Sequence, residues 1–416
     1  MTHTELPEPT IGWIDFSKAH RTRVFNVLDM LEPDGMIDEL GLGTLRDGLA
    51  NEMFPGISTI QTRARYFFII PYLLHEYQQL TAAKRKGKKA HIYFEDQEYE
   101  IMWDLAEAYN HEVRNGIIGI SKRRAKKEKI ARRPSAIYWY GLNFFKFIDS
   151  RGLSAEAILR NASQPDYLEM LSLDQQEGDD MPKEDWGYYK DDLFRIRVPY
   201  KKDWHAEKTI ELYNDEAEIL RDKILSRVPD KLIGKLLTGD ALWNLFSGTK
   251  NFKQFAKAAV KINSDSKLKK TITLAHDFSE LMYGAQILYN QILQKEIFKE
   301  DFKVEEFEEW KKQLSNEMID FDGFQPNDIT LLAPTSKPHT KFFLTEWWKE
   351  AQTGFNNYSR IKWLIQSQEA NAKGNKARMN GNNTEGLKEG KWIGLTQFNY
   401  RFVQANNILH DILSKL

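Results

Sequence analysis

The densest run of chemistry-bearing side chains lies between Ser121 and Arg133, where eight basic residues face a single acidic one, a net of +7. Lys122, Arg123, Arg124, Lys126, Lys127, Arg132 and Arg133 are candidates for phosphate contacts, which need little beyond concentrated positive charge. The Tyr138-Trp139-Tyr140 run just beyond them adds ring faces on which the bases of an exposed strand could stack. The competing reading is a solvated loop above a core helix whose aromatics are simply buried. A shorter basic stretch, Lys84 to Lys89, is a potential companion.

A second constellation opens at Ser58. Ser58 followed by Gln61 fits a capping box, which predicts a helix beginning at Thr59 and makes residues 44–72 a candidate helix-turn-helix. In such a module the start of the second helix meets base edges and phosphates, which nominates Thr59, Gln61, Thr62, Arg63 and Arg65. The alternative is a helical hairpin whose arginines pair with carboxylates such as Asp47 and Glu52. Pro71, inside the apolar run of the second helix, is expected to kink or end it.

His339-x-Lys341, with Glu346 five residues after the lysine, superficially resembles the His-Lys-Asp motif of phospholipase D-like nucleases. Glu stands in place of Asp, no second copy exists, and FFLTEWWKEA reads as helix where that motif sits on a strand. There is no paired-histidine zinc motif, P-loop, dinucleotide fingerprint or nucleophile elbow, so no catalytic residue, cofactor or metal is assigned. Binding or scaffolding is favoured over catalysis.

The elements that must carry these residues read as helix after helix. After an extended WIDFS at Trp13 to Ser17 come a helix from Lys18 to Leu31, a turn at Pro33-Asp34-Gly35 and two short helices over 36–54. A strand at His91 to Phe94, a helix over 97–114, an aromatic helix after Pro134 capped by Ser135, and a further helix capped by Ser154 follow. Eight acidic residues and two lysines between Asp174 and Asp192 reverse the charge, which places a boundary there. Leu193 to Val198 reads as a strand. Helices are then expected over 206–227, 229–247, 251–262, 270–298, 303–316, 340–353, 356–370 and 397–416. The class is mainly α, multi-helical, with a few short strands. The organisation is an N-terminal helical domain with basic loops over 1–173, an acidic linker over 174–205 and a C-terminal helical domain over 206–416 for protein interaction.

The chain of 416 residues has no cysteine, which excludes disulfides and thiolate chemistry, and a net charge of −1, which argues against wrapping nucleic acid over its whole surface. No apolar run reaches the roughly 20 residues of a spanning helix, and the N-terminus has no signal-peptide pattern, so a cytoplasmic protein without membrane contact is expected.

Four stretches carry a family resemblance: WIDFS, FPGISTIQTRARYFF at Phe54 to Phe68, RPSAIYW at Arg133 to Trp139, and NKARMN with the later FNYRF between Asn375 and Phe402. Together they resemble a bacterial domain-of-unknown-function family of about this length, whose members tend to be encoded near helicases and phospholipase D-like nucleases in defence regions. The resemblance nominates Arg63, Arg65, Tyr66, Arg133, Ser135, Tyr138, Trp139, Lys376, Arg378 and Arg401. It implies a nucleic-acid-associated accessory or recognition subunit of an anti-phage or DNA-processing system, with DNA or RNA and a helicase or nuclease subunit as partners. One alternative is a helical protein-binding scaffold or effector anchored by Trp347, Trp348 and Trp363. The other is a nuclease or hydrolase with a site assembled from scattered residues.

Overall fold

The computed structural model describes residues 38–80, 89–161, 195–262, 265–314, 323–381, 384 and 387–416. WIDFS, the helix expected from Lys18 to Leu31, most of the Lys84 to Lys89 stretch and residues 174–194 of the acidic linker lie outside them. Fifteen helices and one two-stranded sheet make up the described elements, so the protein is mainly α.

Helix α1 (Gly43–Met53) leads through a twelve-residue loop, 54–65, into α2 (Tyr66–Gln78), of which every side chain from Tyr66 to Leu74 is buried. A helix apolar all round belongs inside a larger fold. Here α2 lies between α3 (Ala90–Ala108) and α4 (Pro134–Phe144), with Phe67 edge-on to Tyr138 at 5.1 Å and Phe68 edge-on to Phe147 at 5.2 Å. Pro71 does not end the helix, which continues to Gln78, because apolar packing on both sides outweighs one lost backbone hydrogen bond. The strand expected at His91 to Phe94 is helix instead. Phe94, Glu98, Met102 and Leu105 form a buried stripe at helical spacing, so tertiary burial overrides the local preference for an extended chain.

Strands β1 (Ile148–Asp149) and β2 (Arg195–Ile196) pair antiparallel with Ile148 opposite Ile196. Helix α5 (Ala155–Asn161) starts as expected, with the Ser154 hydroxyl accepting from the Ala157 amide. Helix α6 (Asn214–Arg227) begins eight residues later than its sequence pattern suggests, because residues 204–209 are held as loop, their carbonyls accepting from Arg65. The expected helix over 229–247 is two, α7 (Leu232–Thr238) and α8 (Asp240–Gly248), broken at Gly239.

After α9 (Phe252–Ile262), the 33-residue α10 (Ser266–Phe298) forms a mast about 50 Å long, capped by the Asp265 carboxylate on the Lys267 and Leu268 amides. Gln286, Asn290 and Gln294 repeat every four residues along it, all buried. The last two bind the backbone of residues 388–393, fastening that segment across the mast. Helices α11 (Val304–Gln313), α12 (Pro326–Leu332), α13 (Pro338–Gln352), α14 (Tyr358–Lys373) and α15 (Phe402–Leu413) complete the order. One contiguous cluster of buried apolar side chains extends from Leu40 to Ile412.

Candidate nucleic-acid interface

The basic segment from Lys122 to Arg133 lies against α3, and the acidic face of that helix sorts its cations into two groups. Arg124 faces three carboxylates, Glu100 at 3.1 Å, Asp104 at 2.5 Å and Glu107 at 3.4 Å. Lys129 pairs with Glu95 at 2.9 Å, and Arg133 reaches the buried Glu98 at 2.8 Å. Lys122, Arg123, Lys126, Lys127 and Arg132 form no ion pair with any described residue, and all but the half-buried Lys122 are exposed. A tight turn carries Arg123, Lys126 and Lys127: the Glu128 carboxylate accepts from the Arg123 amide at 2.8 Å, and Lys127 sits in the left-handed region at φ +50°. Much of the +7 read from sequence is therefore balanced by α3, and five cations remain unpaired among the described residues.

The aromatic run after this segment is divided too. Tyr138 is buried, its hydroxyl accepting from the Thr62 and Arg63 amides and donating to the Arg63 carbonyl. Trp139 donates to the Leu153 carbonyl at 2.7 Å. Tyr140 alone is open to solvent, at 55% exposure. Ser135 is not the cap of α4. Pro134 occupies its first position, and Glu98 reaches over from α3 to accept from the Ser135 amide at 2.7 Å and hydroxyl at 2.9 Å. A carboxylate at a helix N-terminus satisfies its unpaired donors.

The second constellation turns inward. Residues 59–65 are loop, and the helix expected at Thr59 begins at Tyr66. Half of the capping box forms, the Gln61 side chain accepting from the Ser58 amide at 3.2 Å, while the Ser58 hydroxyl has no partner. Further hydrogen bonds fix the loop: Gln61 donates to the Gly56 carbonyl, and the amides of Thr62, Arg63 and Ala64 go to Tyr138 and Asp411. Arg63 is buried against Asp411 at 2.8 Å, and Asp411 holds its guanidinium charged against the opposing effect of burial. Arg65 is fully buried beside Glu216 at 3.5 Å and donates to the Thr209 carbonyl at 2.5 Å. Neither arginine presents its charge to solvent, and the candidate helix-turn-helix therefore has no exposed recognition helix. Thr59 is exposed, its carbonyl taken by Gln404.

Of the later candidates, Lys376 is exposed, whereas Arg378 pairs with the buried Glu39 at 2.7 Å. Arg401 donates to Asn51 and to the Ile57 carbonyl, both at 2.6 Å. His339, Lys341 and Glu346 fall on helix α13 and do not converge: His339 approaches Gln368, and Glu346 pairs with Lys349 and Arg360. Trp347 and Trp348 are buried, so of the three tryptophans offered as protein-binding anchors only Trp363 is exposed, at 47%. Among the described residues no group of three or more His, Asp or Glu is placed to hold a metal ion. None of the described helices is long and apolar enough to cross a membrane.

The residues that sequence reasoning missed are the buried carboxylates Glu39, Glu98, Glu216, Glu369 and Asp411. Their signal was present. Glu98 stands on the stripe that includes Met102 and Leu105, Glu216 lies one turn before Leu220, and Asp411 is flanked by Ile408 and Ile412. A charge on an apolar stripe requires a buried partner.

A family model described as a family of unknown function, DUF6361, matches residues 9–299, well over half of the 416. The chain belongs to the DUF6361 family. The matched DUF6361 region holds the FPGISTIQTRARYFF and RPSAIYW stretches and ends just past the mast helix α10. Its Arg63 is completed by Asp411, far beyond the matched residues, so the segment after 299 supplies a partner to the interior of the DUF6361 region. No curated protein and no solved structure matches the chain.

Proposed function

We propose that this protein binds the phosphate backbone of DNA or RNA in the cytoplasm, as an accessory or recognition subunit of a bacterial anti-phage defence or DNA-processing assembly that also contains a helicase or nuclease subunit. The observation that supports the reading is the sorting of the 122–133 segment. Arg124, Lys129 and Arg133 fasten it to α3, and Lys122, Arg123, Lys126, Lys127 and Arg132 remain without carboxylate partners among the described residues. An arrangement that leaves cations on a braced turn suits phosphate positioning, which carries no sequence information. Tyr140, exposed about two helical turns beyond the segment, offers a ring face to a neighbouring base.

Five phosphate contacts correspond to a slope of about −4 to −5 in log affinity against log salt on duplex DNA. Fluorescence anisotropy of labelled duplex and single-stranded oligonucleotides over a salt series measures it. Replacing all five cations with glutamine is expected to lower affinity by orders of magnitude and flatten the slope. Binding that ignores salt, or no binding to any duplex or single strand, overturns the reading.

A further inference from the structure

Far along the chain from the basic turn, a cleft of about 440 Å³ opens between α10, α11 and the turn that joins α13 to α14. Its volume is in the range of small-molecule sites. Phe302, Phe307, Phe355 and Tyr358 line it. The rings of Phe307 and Phe355 are buried and fixed by Trp310, which stacks on the first at 5.4 Å and tilts against the second at 5.1 Å, whereas Tyr358 is 56% exposed. The cleft wall at Phe355 is preformed. Gly354 and Phe355 both take left-handed backbone, at φ +75° and +56°, and their amides close onto the Ala351 and Glu350 carbonyls at 3.0 and 2.8 Å. An aromatic residue in that region is uncommon and persists only where the surroundings hold it.

Gln291 donates its amide nitrogen to the Lys303 carbonyl at 2.7 Å, and Asn356 donates its own to the Thr353 carbonyl at 2.6 Å. Each nitrogen uses one of its two N–H groups in this way, so each carboxamide keeps one N–H donor and its oxygen acceptor. The charged lining residues are matched, Lys295 with Asp301 at 2.8 Å and Lys311 with Glu308 at 2.7 Å, so the cleft offers no surplus charge. Ring faces, two carboxamides each with an acceptor and a donor, and charge balance together describe an uncharged, flat heterocycle that carries an N–H donor beside a ring-nitrogen acceptor.

We infer that this cleft binds a nucleobase bearing an exocyclic amine, stacked on the exposed ring of Tyr358 and donating to Gln291 and Asn356. The inference does not depend on the basic turn. A base of this kind is available from a free nucleoside or from a single strand, and the two sources are separable.

Saturation-transfer difference NMR on the full chain tests the first source with adenosine at millimolar concentration and with purine riboside, which lacks the amine. Transfer to adenosine is expected, with purine riboside weaker by about tenfold. Tyr358→Ala, at an exposed position that leaves the fold intact, and the pair Gln291→Met and Asn356→Leu are each expected to weaken adenosine by about tenfold. The second source is tested with an oligoadenylate strand on the protein whose five basic-segment cations are glutamine, with and without Tyr358→Ala, so that the difference between the two reports the cleft. Transfer to neither adenosine nor the strand, or transfer undiminished by Tyr358→Ala, overturns the inference.

Discussion

Glu98 receives three donors at once, from Arg133 and from the amide and hydroxyl of Ser135. Burial nevertheless outweighs them, and its carboxyl is pushed up from 4.5 to about 7. The unfolded chain releases this proton near pH 4.5 and the folded one near pH 7, so between these values the folded state binds more protons. The contribution of Glu98 to stability is accordingly full below pH 4.5 and lost as pH rises to about 7, a difference of roughly 3 kcal/mol. Glu98→Gln removes the titration while keeping an acceptor. Its thermal midpoint is expected to fall less between pH 5 and pH 8 than that of the unsubstituted protein, as followed by circular dichroism. The same carboxyl caps α4 and anchors the end of the basic segment, which ties this one residue to the bracing of the turn.

At the scale of elements, α3 and α10 organise their neighbours. The acidic face of α3 decides which cations of the 122–133 segment are ion-paired, and that division could not be read from the segment alone. On α10, Gly284 marks the closest approach of a neighbour. A Cβ there would sit 2.1 Å from the Trp310 indole, which is itself held by its hydrogen bond to the Glu280 carbonyl at 2.9 Å. Alanine ordinarily favours a helix over glycine by about 1 kcal/mol. Here the clash with a buried, hydrogen-bonded ring outweighs that gain, and Gly284→Ala is expected to destabilise by about 1–3 kcal/mol in urea unfolding. Trp310 also supports Phe307 and Phe355, so the same substitution is expected to weaken nucleobase binding in the cleft.

At the scale of the whole molecule, ion pairs between distant segments close the fold. Arg63 meets Asp411, Arg65 meets Glu216, and Arg378 meets Glu39. Asp411 also accepts from the Ala64 amide at 2.9 Å, so it fixes the loop entering α2 from the far end of the chain. Asp411→Ala leaves Arg63 buried without its partner and is expected to cost about 3–5 kcal/mol. The double variant Arg63→Met with Asp411→Leu removes both charges and is expected to recover part of that loss. Equilibrium denaturation of the two variants checks this. Equal destabilisation in both would show that packing, and not the unpaired charge, sets the cost.

The sequence by itself determined the helical class, because apolar spacing of three and four residues recurs from Met36 to the closing helix and few alternating runs compete with it. It also located the mast helix, the helix at FFLTEWWKEA and the Ser154 cap, each of which depends on residues within a turn or two of one another. Tertiary structure decided the rest. Whether a cation is a ligand or a brace depends on carboxylates far along the chain: Glu98 lies 35 positions from Arg133, and Asp411 lies 348 from Arg63. The helix start misplaced at Thr59 has the same cause, since Tyr138 and Asp411 take the amides of residues 62–64 and hold them as loop. Local pattern specifies the elements, but the desolvation of charge is settled only when the elements pack, and packing turned Arg63 and Arg65 into internal fasteners while leaving Lys122, Arg123, Lys126, Lys127 and Arg132 without an ion pair among the described residues.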